Sequence, residues 1–155
     1  MSTTLRAVTP IAASPLAAPS VAPVAPPMLR GDGVEWIVEA FGCDVACLTS
    51  RDALAALVGD VVTSLALRPV APAAWHQFPA PGGITGMVLL AESHLALHTF
   101  PEFASLTLNL FCCAPREDWD WEGGLSRHVG AHEVRVRRVE RAYGAAAFAS
   151  DQDHR

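Results

Sequence analysis

The strict alternation of residues 105–113 is the strongest constraint on the fold. Leucines occupy one side of this segment and small polar residues the other: Leu106, Leu108 and Leu110 against Ser105, Thr107 and Asn109. A period of two is typical of a β-strand with one face in the core. Hydrophobic residues make up 51% of the 155-residue chain and charged residues 17%, which is enough apolar surface for a core. The sequence therefore predicts one domain around a sheet, with a tail.

Other strands are predicted where short apolar runs lie between turn signals, at 34–41, 70–78, 84–91 and 133–141. Pro72 places the second of these at a sheet edge or a bulge, because proline has no backbone N–H to donate.

Two helices are predicted. The first begins after Thr49-Ser50-Arg51-Asp52, which resembles a capping box, and its apolar positions run from Leu54 to Leu65 with the spacing of one buried face. The second, at 119–129, is weaker because Gly123-Gly124 interrupts it. This order of elements predicts an α+β fold, an antiparallel sheet with two helices on one face.

The two ends of the chain differ from the middle. Residues 1–32 hold six of the twelve prolines and a single acidic residue, Asp32. Proline every few residues prevents a continuous helix, so we expect a disordered, extended Pro/Ala-rich tail rather than a signal peptide. The domain is expected at 33–145, followed by a C-terminal tail at 146–155. No apolar run approaches the roughly 18 residues of a membrane helix, and no membrane partner is expected.

Charge and cysteine usage exclude further classes. The formal charge of −5 argues against a nucleic-acid binder that relies on phosphate neutralisation. The four cysteines have no CxxC spacing, and the chain does not look like a disulfide-stapled secreted protein. A cytoplasmic protein is expected, with Cys43 and Cys47 as buried thiols.

The candidate active site lies in residues 91–102, where two histidines, a serine and two carboxylates occur together. In an extended chain, His94 and His98 share one face and Ser93 shares the other with two leucines. The spacing of His94 and His98 would suit zinc on a helix, but the segment is strand-like and lacks the HExxH glutamate. A serine activated by histidine is the other hypothesis, although no GxSxG motif surrounds Ser93.

One resemblance distinguishes between these hypotheses. Glu92-Ser93-His94, His98-Thr99 and Pro101-Glu102, followed by Leu110-Phe111-Cys112-Cys113, resemble the short bacterial and archaeal form of S-adenosylmethionine decarboxylase. Members of that family carry a closely similar block, with a cysteine about twenty residues after the serine. The likeness extends back to Gly83-Ile84-Thr85-Gly86 and covers roughly residues 34–143.

The resemblance implies a self-processing enzyme. The chain would cut itself between Glu92 and Ser93, with the help of Thr85 and His98, and Ser93 would become a covalent pyruvoyl group. That group would form a Schiff base with S-adenosylmethionine and promote loss of CO2 in spermidine biosynthesis, with no metal. Cys113 would reprotonate the substrate carbanion. Ser93, His98 and Cys113 are thus the implied catalytic residues.

The resemblance also implies how substrate binds. Phe78 would stack on the adenine, Phe100 stands where tryptophan is common, and Glu102 would hold the ribose hydroxyls. Asn109 and Cys112 depart from the family pattern. They leave open a pyruvoyl-dependent arginine or ornithine decarboxylase, or a non-processing regulatory homologue.

Assembly follows from the same family. Its short chains pair their sheets into a four-layer αββα sandwich in which two processed protomers build each active site together. The resemblance therefore implies a homodimer here.

Overall fold

The computed structural model describes residues 32–143, which form an α+β unit. Six strands are present in this part of the chain: β1 (Asp32–Phe41), β2 (Ala74–Gln77), β3 (Ile84–Leu90), β4 (Ser93–Phe100), β5 (Ser105–Cys112) and β6 (Glu133–Ala142). Three α-helices accompany them: α1 (Val45–Leu48), α2 (Arg51–Ser64) and α3 (Trp121–Val129). A short 3-10 helix, Pro101–Phe103, connects β4 to β5.

All six strands belong to one antiparallel sheet, in the order β2-β3-β4-β5-β1-β6. Strand β4 pairs with β3 on one side and with β5 on the other, and β1 lies between β5 and β6. The first strand of the chain is therefore held between two strands from its second half.

One face of the sheet carries the core. Burial alternates along β5 as the sequence predicts, and β1, β3 and β4 follow the same rule. The helices cover this face, and their apolar positions join the same cluster as the strands. The opposite face, which we call the open face, has exposed apolar side chains on β3 and β4: Met87, Leu89 and Phe100.

The helix ends agree with the sequence signals. The Ser50 side chain accepts a hydrogen bond from the Ala53 backbone N–H and caps α2. Asp120 caps α3 in the same way through the Gly123 N–H, and Gly130 ends that helix in the left-handed conformation. Within residues 32–143, no helix is long and apolar enough to span a membrane.

The predicted α+β class with an antiparallel sheet is confirmed, with several changes in detail. The predicted strand at 70–78 is shortened to Ala74–Gln77, and it lies at the sheet edge, as Pro72 indicated. Helix α1 was not predicted, because four residues are too few for a periodic signal. Strand β1 begins at Asp32, one residue before the predicted start of the domain. The predicted tails at 1–31 and 146–155 lie outside the described residues and stay predictions.

Thr99 is the only polar residue among those described that is buried as a whole, with 5% of its surface exposed. Its hydroxyl accepts a hydrogen bond from the Ile84 N–H and donates one to the Leu48 carbonyl, both at 2.8 Å. It therefore ties the end of β4 to the start of β3 and to α1, and fixes the backbone between His98 and Phe100.

We predict that Thr99→Val destabilises the protein by about 1–3 kcal/mol, because a buried N–H and a buried carbonyl each lose their partner while the shape is kept. Urea unfolding of both proteins measures this difference. Thr107→Val, on the open face of β5, is the matched control and should change stability much less. Equal effects of the two substitutions would contradict the assignment.

Candidate active site

A cleft of about 340 Å³ opens where β3 and β4 meet the segment after β2. Five residues implicated by the sequence line it: Phe78, Thr85, His98, Phe100 and Glu102. Thr85 and His98 are direct partners across the β3–β4 ladder and lie on the open face. A hydrogen bond of 2.9 Å joins Thr85 Oγ1 to His98 Nδ1. The hydroxyl thus fixes the orientation of the imidazole ring.

Two exposed aromatic rings flank this cleft. Phe78 follows β2 and is 52% exposed, and its ring meets the His76 ring edge-on at a centroid distance of 4.6 Å. Phe100, the last residue of β4, is 37% exposed. Aromatic rings open to solvent in a concave site offer a stacking surface for a flat ring.

Gly83 lines the cleft at a position where a side chain does not fit. A Cβ on Gly83 would lie 2.7 Å from the Thr99 carbonyl oxygen, so only glycine permits this close approach of β3 to β4. Glu102, in the 3-10 helix, is the one carboxylate that lines the cleft within the described part of the chain. The cleft thus presents a negative group beside two aromatic rings.

A second cluster surrounds the peptide bond between Glu92 and Ser93, at the turn from β3 to β4. The Ser93 hydroxyl is buried and makes no hydrogen bond of regular geometry among residues 32–143; the Cys112 thiol is its neighbour across the β4–β5 ladder. The Glu92 carbonyl oxygen accepts a hydrogen bond of 3.1 Å from the Cys113 N–H. A nucleophilic hydroxyl without a partner therefore lies next to a carbonyl group that is already polarised.

The two adjacent cysteines have different surroundings. Cys112 pairs with Ser93 across the β4–β5 ladder and is buried in the core. Burial raises the pKa of the Cys112 thiol, and the neighbouring Ser93 hydroxyl and Arg116 partly offset this. Cys113 is partly exposed just beyond β5. The structure thus places Cys112 towards the core and Cys113 outside it, as the alternation of β5 predicts.

Three residues of this second cluster were not identified from the sequence. The carboxylate of Glu92 is held by Arg68 and Arg116, at 2.8 and 3.0 Å. The Tyr143 hydroxyl donates a hydrogen bond to the Cys113 carbonyl and lies 3.0 Å from the Asp32 carbonyl oxygen. These contacts join positions 24 or more residues apart, and no local pattern marks them.

Within one chain the two clusters are separate. Ser93 and His98 lie at opposite ends of β4, five residues or about 17 Å apart at the usual rise of a strand. An odd separation also directs their side chains to opposite faces. His98 therefore does not reach Ser93 in the same chain.

The histidines offer no metal cluster in the described part of the chain. No group of three or more His, Cys, Asp or Glu side chains is suitably placed there to hold an ion. His94 and His98 lie on strand β4 instead of the helix that zinc spacing would require. His128 Nε2 pairs with Asp60 Oδ2 at 2.9 Å, between α3 and α2. This hydrogen bond lowers the pKa of Asp60.

Fold and site define an α+β protein with one open sheet face and functional groups at both ends of a central strand. The family model for S-adenosylmethionine decarboxylase matches residues 34–142, and the chain belongs to this family. The predicted family is thus confirmed.

Curated relatives agree with this assignment. The S-adenosylmethionine decarboxylase proenzyme of Acetivibrio thermocellus is 32% identical over 113 residues, which cover 70% of this chain and 87% of that protein. The proenzyme of Carboxydothermus hydrogenoformans is 30% identical over 124 residues, covering 77% and 94%. The crystal structure of the adenosylmethionine decarboxylase from Aquifex aeolicus has a TM-score of 0.59 at 22% identity, covering 71% of this chain and 90% of that one. This last comparison supports the fold.

We predict that an alkylating reagent modifies Cys113 faster than Cys112 in the folded protein. Burial raises the pKa of the Cys43 thiol to about 11, so roughly one part in a thousand is thiolate at pH 8. Cys112 is also buried with a raised pKa, whereas Cys113 is partly exposed. Cys47 is partly exposed too, so its predicted burial is wrong. Iodoacetamide followed by peptide mass mapping should therefore modify Cys47 and Cys113 first. Denatured protein, in which all four should react alike, is the control; early modification of Cys112 would contradict the placement.

Proposed function

We propose that this member of the family is a self-processing, pyruvoyl-dependent enzyme that decarboxylates S-adenosylmethionine. The observation that carries the proposal is the buried, unpartnered hydroxyl of Ser93 beside a Glu92 carbonyl that accepts the Cys113 N–H. A buried polar atom without a partner costs free energy, so its presence calls for an explanation. Attack on the neighbouring carbonyl is such an explanation, and the printed name of the relatives, proenzyme, supports it.

The chemistry of processing follows from these atoms. Ser93 Oγ attacks the Glu92 carbonyl carbon, the peptide C–N bond breaks, and an ester replaces the amide. The Cys113 N–H stabilises the negative charge that develops on the carbonyl oxygen. A base then removes the Ser93 α-proton, the Cβ–Oγ bond breaks, and residues 1–92 leave with a new C-terminal carboxylate. Water converts the remaining dehydroalanine to a pyruvoyl group and ammonia.

The cleft suits the substrate. Phe78 and Phe100 offer faces for the adenine ring, and the Glu102 carboxylate can accept hydrogen bonds from both ribose hydroxyls. The pyruvoyl group supplies an electrophilic carbonyl that accepts the electrons left by departing CO2. Cys113 then donates a proton to the substrate carbon, and the product serves as aminopropyl donor for spermidine. These aromatic and carboxylate groups favour a nucleoside over the arginine or ornithine of the alternative hypothesis.

Two copies of the chain build each site in this proposal. The Ser93–Cys113 cluster and the His98–Thr85 cluster lie about 17 Å apart in one chain. The open face also carries exposed apolar side chains that an isolated protomer leaves in water, including Met87 and Leu89. A two-fold axis near the middle of β4 places the His98 end of one copy against the Ser93 end of the other. An αββα homodimer satisfies both observations.

Mass spectrometry of the denatured protein tests self-processing. The wild-type chain should give two fragments, 1–92 and 93–155, with pyruvoyl in place of serine at the new N-terminus. Ser93→Ala should remain intact, because it lacks the nucleophile. An intact wild-type chain after long incubation would instead support the non-processing regulatory homologue. If cleavage occurs, activity assays with S-adenosylmethionine, arginine and ornithine decide the substrate.

Complementation between two inactive variants tests the shared site. Ser93→Ala and His98→Ala alone should each remain mostly uncleaved. Co-expressed with different tags, they form mixed dimers in which Ser93 of one chain meets His98 of the other. The chain carrying His98→Ala should then be cleaved and the chain carrying Ser93→Ala should not. If neither chain is cleaved in mixed dimers isolated by both tags, the shared site is contradicted, and the site is built within one chain.

A further inference from the structure

The Glu92 side chain is held more firmly than a turn residue requires. Its carboxylate is 12% exposed, and each oxygen has its own arginine: Oε2 accepts from Arg68 Nη2 at 2.8 Å, and Oε1 from Arg116 Nη2 at 3.0 Å. We call these three residues the arginine clamp. Hydrogen bonds between charged groups that are largely removed from solvent are the stronger kind.

Backbone hydrogen bonds also hold the segments that carry Arg68 and Arg116 next to the turn. The Arg68 carbonyl accepts the Ala91 N–H at 2.9 Å, which joins the segment after α2 to the end of β3. Arg116 follows Cys113, whose N–H donates to the Glu92 carbonyl. Two segments far apart in sequence thus converge on the turn that holds this peptide bond.

The charge of the clamp is unbalanced. Two guanidinium groups face a single carboxylate, and Arg116 Nε is buried without a hydrogen-bond partner among the described residues. A buried N–H without an acceptor is costly in the intact chain. The clamp therefore has one positive charge more than the Glu92 side chain neutralises, and one buried donor without an acceptor.

The proposed self-cleavage supplies a negative charge and an acceptor that the intact chain lacks. When the Ser93 Cβ–Oγ bond breaks, its electron pair leaves with Oγ, and Glu92, whose side chain the arginines hold, gains an α-carboxylate of its own. Two carboxylates then face two guanidinium groups. A positive site stabilises a leaving group most when the negative charge forms on it in the transition state.

We propose that Arg116, assisted by Arg68, stabilises the Glu92 α-carboxylate as it departs from Ser93 during self-cleavage. This inference rests on the proposed function and extends it to the elimination step. The Arg116 guanidinium holds the Glu92 side chain through Nη2 and offers its free Nε–H to the new carboxylate. Lysine lacks this second donor in a fixed geometry, so it replaces only the charge.

The experiment follows conversion of newly synthesised full-length chain into its two fragments over time. Arg116→Met should slow conversion by about tenfold or more, less than the roughly 100- to 1,000-fold seen when an oxyanion-hole donor is removed, because Arg68 still supplies positive charge. Arg68→Met should slow it less, because that side chain is more exposed, and Arg116→Lys should give an intermediate rate. Arg127→Met, which removes an exposed arginine paired with Asp120, is the matched control and should convert at the wild-type rate.

Hydroxylamine separates this role from a merely structural one. It cleaves an ester but leaves an ordinary peptide bond intact under mild conditions. Arg116→Met should accumulate ester, so hydroxylamine should release residues 1–92 as a hydroxamate and leave unconverted serine at the new N-terminus. Far-UV circular dichroism and the melting temperature check that each variant is folded.

The possible failures are distinguishable. A wild-type chain that never converts overturns the proposed function and this inference together. If the wild-type chain converts and folded Arg116→Met does so at the same rate, only the inference is wrong. Folded Arg116→Met that stalls without any hydroxylamine-sensitive ester also overturns it, because the arginine would then act before the elimination step.

Discussion

The candidate site depends on the position of β4, a central strand in an antiparallel sheet that helices cover on one face only. Its period of two buries Leu95 and Leu97 beneath the helices and sends His98 to the open face. The turn before β4 places Ser93 at the buried end of the same strand. One strand therefore carries both halves of the proposed chemistry and prevents them from meeting within one chain, which makes a second copy necessary for the proposed reaction.

Interlocking of the strands explains how such a chain can be cut without coming apart. The proposed cleavage lies at the turn between β3 and β4, so it breaks no strand. Residues 1–92 contribute β1, β2 and β3, whereas β4, β5 and β6 belong to the remainder. Because β1 lies between β5 and β6, and β3 pairs with β4, both fragments remain hydrogen-bonded along three ladders. The fold thus tolerates loss of this one peptide bond.

Local periodicity predicted the parts of the fold that depend on neighbours in sequence. The alternation of β5 and the cap at Ser50 both appear where the sequence indicates them. Strand β2 is shorter than predicted because the apolar run after Val70 contains Pro72, which cannot donate a ladder hydrogen bond. The motif residues that line the cleft were recognisable by resemblance. Arg68 and Arg116 were not, since a contact across 24 residues leaves no periodic trace.

The positive charges around the turn between β3 and β4 suit the cleaved product better than the intact chain. A turn that merely joined two strands would be satisfied by one cation for Glu92, and removing a second guanidinium partly from water beside it carries a desolvation cost. The carboxylate formed on cleavage balances that charge and supplies an acceptor near a donor that has none in the intact chain. The same change opposes reversal of the cut, because re-forming the ester would restore the imbalance. If the chain cuts itself as proposed, the charges that the fold already holds in place favour the cleaved form.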